Sequence, residues 1–136
     1  MEKTLSDGLP LPQRYGAIAT IIIGISMAVL DGAIANVALP TIASDLHASP
    51  ASSIWIVNAY QIAIVVSLLS FSFLGDMFGY RRVYQCGLVV FTFTSLLCAL
   101  SDSLHTLTLA RIAQGFGGAA LMSVNTALIR LIYPQR

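Results

Sequence analysis

At 136 residues, 57% apolar, 10% charged and with a net charge of +1, the chain carries far less charge than a globular domain, where about 25% is usual. A chain this short cannot enclose so much apolar surface in water, so lipid is its expected solvent. The near-neutral balance, with no basic run interleaved with aromatics, excludes a nucleic-acid surface.

The opening "MEKTLSDGLPLPQR" (residues 1–14) carries charges of both signs. The apolar run behind it is longer than a signal-peptide core and has no A-x-A cleavage site. It therefore reads as a cytoplasmic tail before a retained membrane segment. Windows of about 20 apolar residues predict four transmembrane helices, over about 15–42, 53–74, 83–100 and 104–133, with 134–136 beginning a cytoplasmic loop. The expected fold class is an all-α membrane protein with consecutive spans antiparallel, because every connection is short.

Span one holds an acid, Asp31, together with Asn36 and a row of small residues, Gly24, Ala28 and Gly32. Such a row lets another helix approach closely. Pro40 frees a backbone carbonyl near the outer end, marking either a bend or the helix terminus. The first connection, "ASDLHASPAS", has the Asp, Ser and Pro of a surface turn and a serine to cap span two. Span two opens "WIVNAYQIA" and carries Asn58 and Gln61. It runs into "GDMFGYRRVYQ", the most polar stretch between the chain's apolar runs.

Cys86 and Cys98 in span three lie about 18 Å apart along a helix. A disulfide needs Cα atoms within roughly 7 Å, and the spacing fits no zinc or redox motif, so both read as buried small apolar residues. After the connection "SDSLHT", span four holds Arg111, Gln114, Asn125 and the run "AQGFGGAALMS". Gly115 and Ala119 form one close-packing row and Gly118 and Met122 the next, with Gly117 between them. His47 and His105 fall in the two outer connections with no partner at metal or triad spacing, so neither an enzyme nor a metal site is indicated.

Lys3, Arg14, Arg81, Arg82, Arg130 and Arg136 all fall on one side of the four spans, whereas the other two connections hold only Asp45 and Asp102. The positive-inside rule places the N-terminus, the second connection and the C-terminus in the cytoplasm. On this ground alone, Arg81 and Arg82 need do no more than orient the chain. Two charges remain inside the spans. Asp31 lies about 24 Å beyond Tyr15, and Arg111 about 10 Å beyond Leu104 at the opposite end. In a core about 30 Å thick these heights are comparable, so the two pair if spans one and four touch. A charge at the bilayer centre costs at least about 2.5 kcal/mol, which points to a bundle interior or a watery cavity. Such a pair either serves function or locks two helices together. Each buried amide is likewise a ligand contact or an interhelical hydrogen bond.

Three motifs in order carry a family resemblance. "LDGAIANVALPTIASDL" resembles the span-one motif Leu-Asp-x-x-(Ile/Val)-x-Asn-Val-Ala-Leu-Pro of the fourteen-span drug/proton antiporter branch of the major facilitator superfamily. "GDMFGYRRVY" is similar to the superfamily's motif between spans two and three. "LTLARIAQGFGGAA" is similar to its span-four motif, and "WIVNAY" to this branch's opening of span two. The resemblance covers essentially the whole chain. It implies a multi-pass protein of the bacterial inner membrane, the N-terminal part of a transporter of twelve or fourteen spans. The implied activity is proton-coupled efflux of a small molecule such as a lipophilic cation, driven by the proton gradient with no cofactor. The partners implied are the lipid bilayer and the remaining spans.

Carried over by position, the resemblance implies that Asp31, Arg111, Asn36 and Gln114 belong to the proton-coupling cavity. Asp76, Gly79, Arg81 and Arg82 would form a cytoplasmic gate motif. Ser72, Met77 and Tyr80 stand where that motif has a glycine and two arginines, which thins its charge network. The alternative is a short membrane protein that does not transport and acts by helix association, or is a non-functional remnant.

Overall fold

The computed structural model describes residues 10–133. They form four helices: α1 (Leu11–Asp45), α2 (Pro50–Phe78), α3 (Tyr80–Ala99) and α4 (Leu104–Ile132). Each is long and apolar enough to cross a membrane, and no strand occurs among the described residues. The all-α architecture is the one expected. The tail, except for residues 10–14, and residues 134–136 lie outside the described residues.

The helix bounds follow local chemistry. α1 starts behind Pro10 and continues through Pro40 to Asp45, 35 residues in all. Pro40 therefore lies inside the helix rather than at its end, and Asp45 belongs to its last turn. At 1.5 Å per residue α1 is about 50 Å long, well beyond a 30 Å hydrocarbon core, so it tilts or projects from the bilayer. The chain turns through His47, whose φ of 51° is left-handed. Ser49 then caps α2 by accepting from the Ser52 amide at 3.1 Å, with Pro50 in the first turn where no amide hydrogen is needed. Ser103 caps α4 in the same way, accepting from the Thr106 amide at 3.2 Å.

The second connection is shorter than the sequence suggests. α2 closes with the Gly79 amide donating to the Gly75 carbonyl at 3.0 Å, and α3 opens with the Val83 amide donating to the Gly79 carbonyl at 3.2 Å. Gly79 alone joins the two helices, at φ 96° and ψ 133°, a conformation that only glycine adopts at low cost. Arg81 and Arg82 consequently stand on the first turn of α3 rather than in a loop.

α4 is the centre of the bundle, packed along α2 on one side and α3 on the other. Glycine makes both contacts close. A Cβ added at Gly115 would lie 2.8 Å from the Tyr60 carbonyl oxygen of α2, and one at Gly117 2.8 Å from the Phe91 backbone nitrogen of α3. Backbone atoms cannot yield to such approaches, so these positions hold the three helices at small-residue distance. Phe91, Leu121 and Val124 fill the core between them and are almost fully buried.

α1 is the loosest of the four. Its buried residues are Ile21, Gly24 and Ala28. The Tyr84 hydroxyl reaches across from α3 to donate to the Thr20 carbonyl at 2.9 Å, occupying the space where a Gly24 side chain would stand. The expected packing row thus holds at Gly24 and Ala28 but not at Gly32, where an added Cβ would meet nothing within 4 Å. Met122, expected to flank Gly118 in a packed row, is exposed. Cys86 is exposed and Cys98 half-buried, both free, so Cys86 is not the buried residue expected of it. Large exposed apolar side chains such as Val37, Val65 and Leu69 cover the outside, as lipid contact requires.

Candidate functional site

The site lies where α1, α2 and α4 meet. Arg111 stands one to two turns into α4 and is 3% exposed. Its Nη1 donates to Asp31 Oδ2 of α1 at 2.5 Å and to Gln114 Oε1, one turn further along α4, at 2.7 Å. Gln114 closes the triangle by donating from Nε2 to Asp31 Oδ1 at 3.0 Å. Both carboxylate oxygens are therefore engaged by α4, and Gln114 uses both ends of its amide. Its spacing to Arg111 places the two side chains on one helix face.

α2 and α3 complete the surroundings. The Arg111 Nε donates to the Ile56 carbonyl at 3.4 Å, and the guanidinium carbon sits 4.1 Å from the centroid of the Tyr60 ring. Cys98 of α3 donates through Sγ to Gln114 Oε1 at 3.5 Å. Gln114 has no exposed surface, whereas the Asp31 side chain retains 21% of its own. Desolvating two ions costs several kcal/mol each, and their attraction offsets this only with good geometry and further hydrogen bonds. The triangle supplies both through Nη1, while Arg111 Nη2 is buried with no hydrogen-bond partner among the described residues, and Asp31 is the member that reaches outward.

Among the expected cavity residues, the structure brings Asp31, Arg111 and Gln114 together and leaves Asn36 apart. Asn36 is exposed, and its side-chain amide donates to the Gly32 carbonyl of its own helix at 3.0 Å. Asn58 and Gln61 are exposed on α2. Asn125 is half-buried and its Oδ1 has no hydrogen-bond partner among the described residues. Tyr60, Ile56 and Cys98 are the neighbours that a search for polar residues misses. Tyr60 had a signal in "WIVNAY", where it follows Ile56 by four residues and shares its buried face.

The gate-motif residues occupy a different setting. Asp76, Gly79, Arg81 and Arg82 are all exposed. Asp76 accepts from the Tyr80 hydroxyl, and no ion pair joins it to Arg81 or Arg82 among the described residues. Arg82 edges an apolar groove of about 440 Å³ between α2, α3 and α4. Arg81 edges a cavity of about 700 Å³ whose other walls include Gln13 of α1 and Leu131 of α4. That cavity, with the Arg14 guanidinium 5.8 Å from the centre of the Tyr133 ring, brings the start of α1, the start of α3 and the end of α4 to one end of the bundle.

Residues 21–136 match the model of the Major Facilitator Superfamily. The chain belongs to that superfamily. It is 85% identical over 136 residues to the uncharacterized transporter YebQ of Escherichia coli (strain K12), covering 100% of this chain and 30% of that protein. To the riboflavin transporter RibZ of Clostridioides difficile (strain 630) it is 36% identical over 124 residues, 91% of this chain and 27% of the relative. To the tetracenomycin C resistance and export protein of Streptomyces glaucescens it is 36% identical over 127 residues, 93% and 23% respectively. The chain spans less than a third of the length of these curated relatives. Four membrane-spanning helices and superfamily membership make it a multi-pass membrane protein of a transporter family.

Proposed function

We propose that these helices form part of the N-terminal half of a proton-coupled transporter that exports small molecules, and that Asp31 is the group whose charge changes during transport. The observation that carries this reading is the Arg111–Asp31–Gln114 triangle. It is a charged cluster within the spanning helices in which the carboxylate retains the most exposed surface. Intramembrane ionisable groups are costly, and where they occur they mark ion and substrate pathways. Protonating Asp31, or placing a cationic substrate beside it, removes or shares the charge that Arg111 is paired with. Either event alters the tie between α1 and α4, and a two-state transporter responds to such differential binding. The named activities of the relatives, a riboflavin transporter and an export protein, support small-molecule transport.

We place the protein in the bacterial inner membrane with the Arg14, Arg81, Arg82 and Arg130 end in the cytoplasm, on the charge asymmetry between the two ends. There Asp76, Gly79, Arg81 and Arg82 form the cytoplasmic joint that faces the rest of the transporter. Asn36, on the same helix as Asp31, belongs to the cavity in this reading, with its amide on the Gly32 carbonyl of its own helix.

The transporter that carries this chain, expressed in cells lacking other efflux pumps, is expected to lower retention of a fluorescent lipophilic cation. Asp31→Asn is expected to return retention to the level of cells without it. Equal retention with and without the substitution rejects the role of Asp31.

A further inference from the structure

We propose that Tyr60 is a positioning residue whose ring face holds the Arg111 guanidinium in place when Asp31 carries no charge. Arginine stays protonated at every accessible pH, so neutralising Asp31 leaves a full positive charge at a position 3% exposed. What remains around it is neutral: Gln114 Oε1 at 2.7 Å, the Ile56 carbonyl at a long 3.4 Å, and the Tyr60 ring at 4.1 Å. The electron-rich face of an aromatic ring attracts a cation, most strongly where water is excluded. Asp31 on α1, Tyr60 on α2 and Cys98 on α3 are the titratable groups around the guanidinium, and α4 presents none besides Arg111 itself.

The ring is itself held. Tyr60 is 3% exposed, and its hydroxyl and backbone carbonyl lie against two glycines of the arginine's own helix. A Cβ at Gly118 would stand 3.0 Å from that hydroxyl, and one at Gly115 2.8 Å from that carbonyl. The close approach of α2 to α4 therefore also sets the height of the ring under Arg111. The Tyr60 hydroxyl has no hydrogen-bond partner among the described residues, which assigns the effect to the ring face and not to the polar tip. The tyrosine of "WIVNAY" thereby acquires a physical task that the ion pair does not supply. If Arg111 swung away whenever its carboxylate partner was neutralised, the pair would have to be rebuilt in each cycle. A stacked guanidinium keeps the site ready for the returning charge.

This inference deepens the proposed role of Asp31, yet its test reads the arginine directly and stands or falls apart from any transport assay. The transporter that carries this chain, labelled with ¹⁵N-arginine and placed in lipid nanodiscs, carries Asp31→Asn as a neutral stand-in for the protonated carboxyl, with the Arg111 signal assigned by its loss in Arg111→Lys. The readout is rotation of the guanidinium about the Cζ–Nε bond, slow when the group is held and fast when it is free. With Asp31→Asn alone, rotation is expected to stay slow, and adding Tyr60→Phe leaves it slow. Adding Tyr60→Leu, or Tyr60→Met should the leucine variant lose helix content, accelerates it about tenfold. The proposal is overturned if Asp31→Asn alone frees the guanidinium, if the aliphatic variants leave it slow, or if Tyr60→Phe frees it as much as they do.

Discussion

The two groups of charges in this chain obey opposite rules. Asp31 and Arg111 come from helices far apart in sequence, and each is met by polar groups of another helix. Asp76, Arg81 and Arg82 sit at the end of the bundle, where Asp76 accepts a hydrogen bond from Tyr80, four residues away on the other side of Gly79. The difference is one of solvent. A charge at membrane depth has no water to fall back on, so its partners must be brought by the fold and it thereby fixes which helices are neighbours. A charge at the water boundary is solvated wherever it points, so its position constrains the fold little.

Substitutions at four places in the molecule sharpen or break that contrast. The largest effect is expected from Arg111→Ala, which leaves the half-buried Asp31 without its cation. A loss of about 3 kcal/mol follows, at the low end for a broken buried pair because Asp31 keeps some exposure. It would show as a large fall in thermal midpoint in nanodiscs. Removing both charges with Asp31→Asn and Arg111→Gln is expected to recover most of that loss, and a double variant as unstable as the single would break the contrast. Next comes Gly117→Val, which drives a side chain into the Phe91 backbone and costs about 2 kcal/mol by overpacking. Chemical unfolding monitored by helix content would detect it, with the same change at Gly32, which faces open space, as the near-neutral control.

A smaller effect is expected for Tyr84→Phe, which removes the hydrogen bond to the Thr20 carbonyl at a cost of about 1 kcal/mol. The loss should be confined to α1, visible as faster amide exchange around residue 20 with α2 and α4 unchanged. The smallest belongs to the exposed joint: Arg81→Ala and Arg82→Ala are each expected to change stability by less than about 0.5 kcal/mol. Their effect is sought instead in topology, as altered cysteine accessibility from the two sides of the membrane. A stability loss comparable to that of Arg111→Ala would show that the joint does carry a charge network.

Composition and window hydropathy were enough to find four helices, since lipid demands length and apolarity and little else. Counting residues from the span ends was enough to bring Asp31 and Arg111 to one height, because helical rise is constant. The contact faces were harder to read. A lipid-facing side is as apolar as a core, so periodicity cannot say which face of α1 or α3 turns inward. Cys86 illustrates this: in water its apolar surroundings would argue burial, but here they describe lipid. Gly24 and Gly32 lie on one helix row and look alike in sequence. They differ only in what stands opposite, Tyr84 for the first and open space for the second. For Asn36, which the resemblance assigns to the cavity, the structure adds a hydrogen bond to the Gly32 carbonyl of its own helix, a partner that sequence spacing alone does not single out. Tyr60 escaped notice as a neighbour of the charges because nothing in α2 alone reveals the glycines of α4 that bring its ring under Arg111.

The one-residue joint between α2 and α3 has a mechanical meaning. The connections on either side, Leu46–Ser49 and Leu100–Ser103, each offer four residues of adjustable backbone. Gly79 offers two torsion angles, one of them at a value of 96° that a side chain would oppose. α2 and α3 are therefore coupled as the arms of a crank: a tilt at the foot of one reaches the foot of the other with little slack to absorb it. The helix on the far side of this pivot is the one that carries Tyr84, whose hydroxyl donates to the Thr20 carbonyl of α1, so the short joint and that hydrogen bond link α2, α3 and α1 in series.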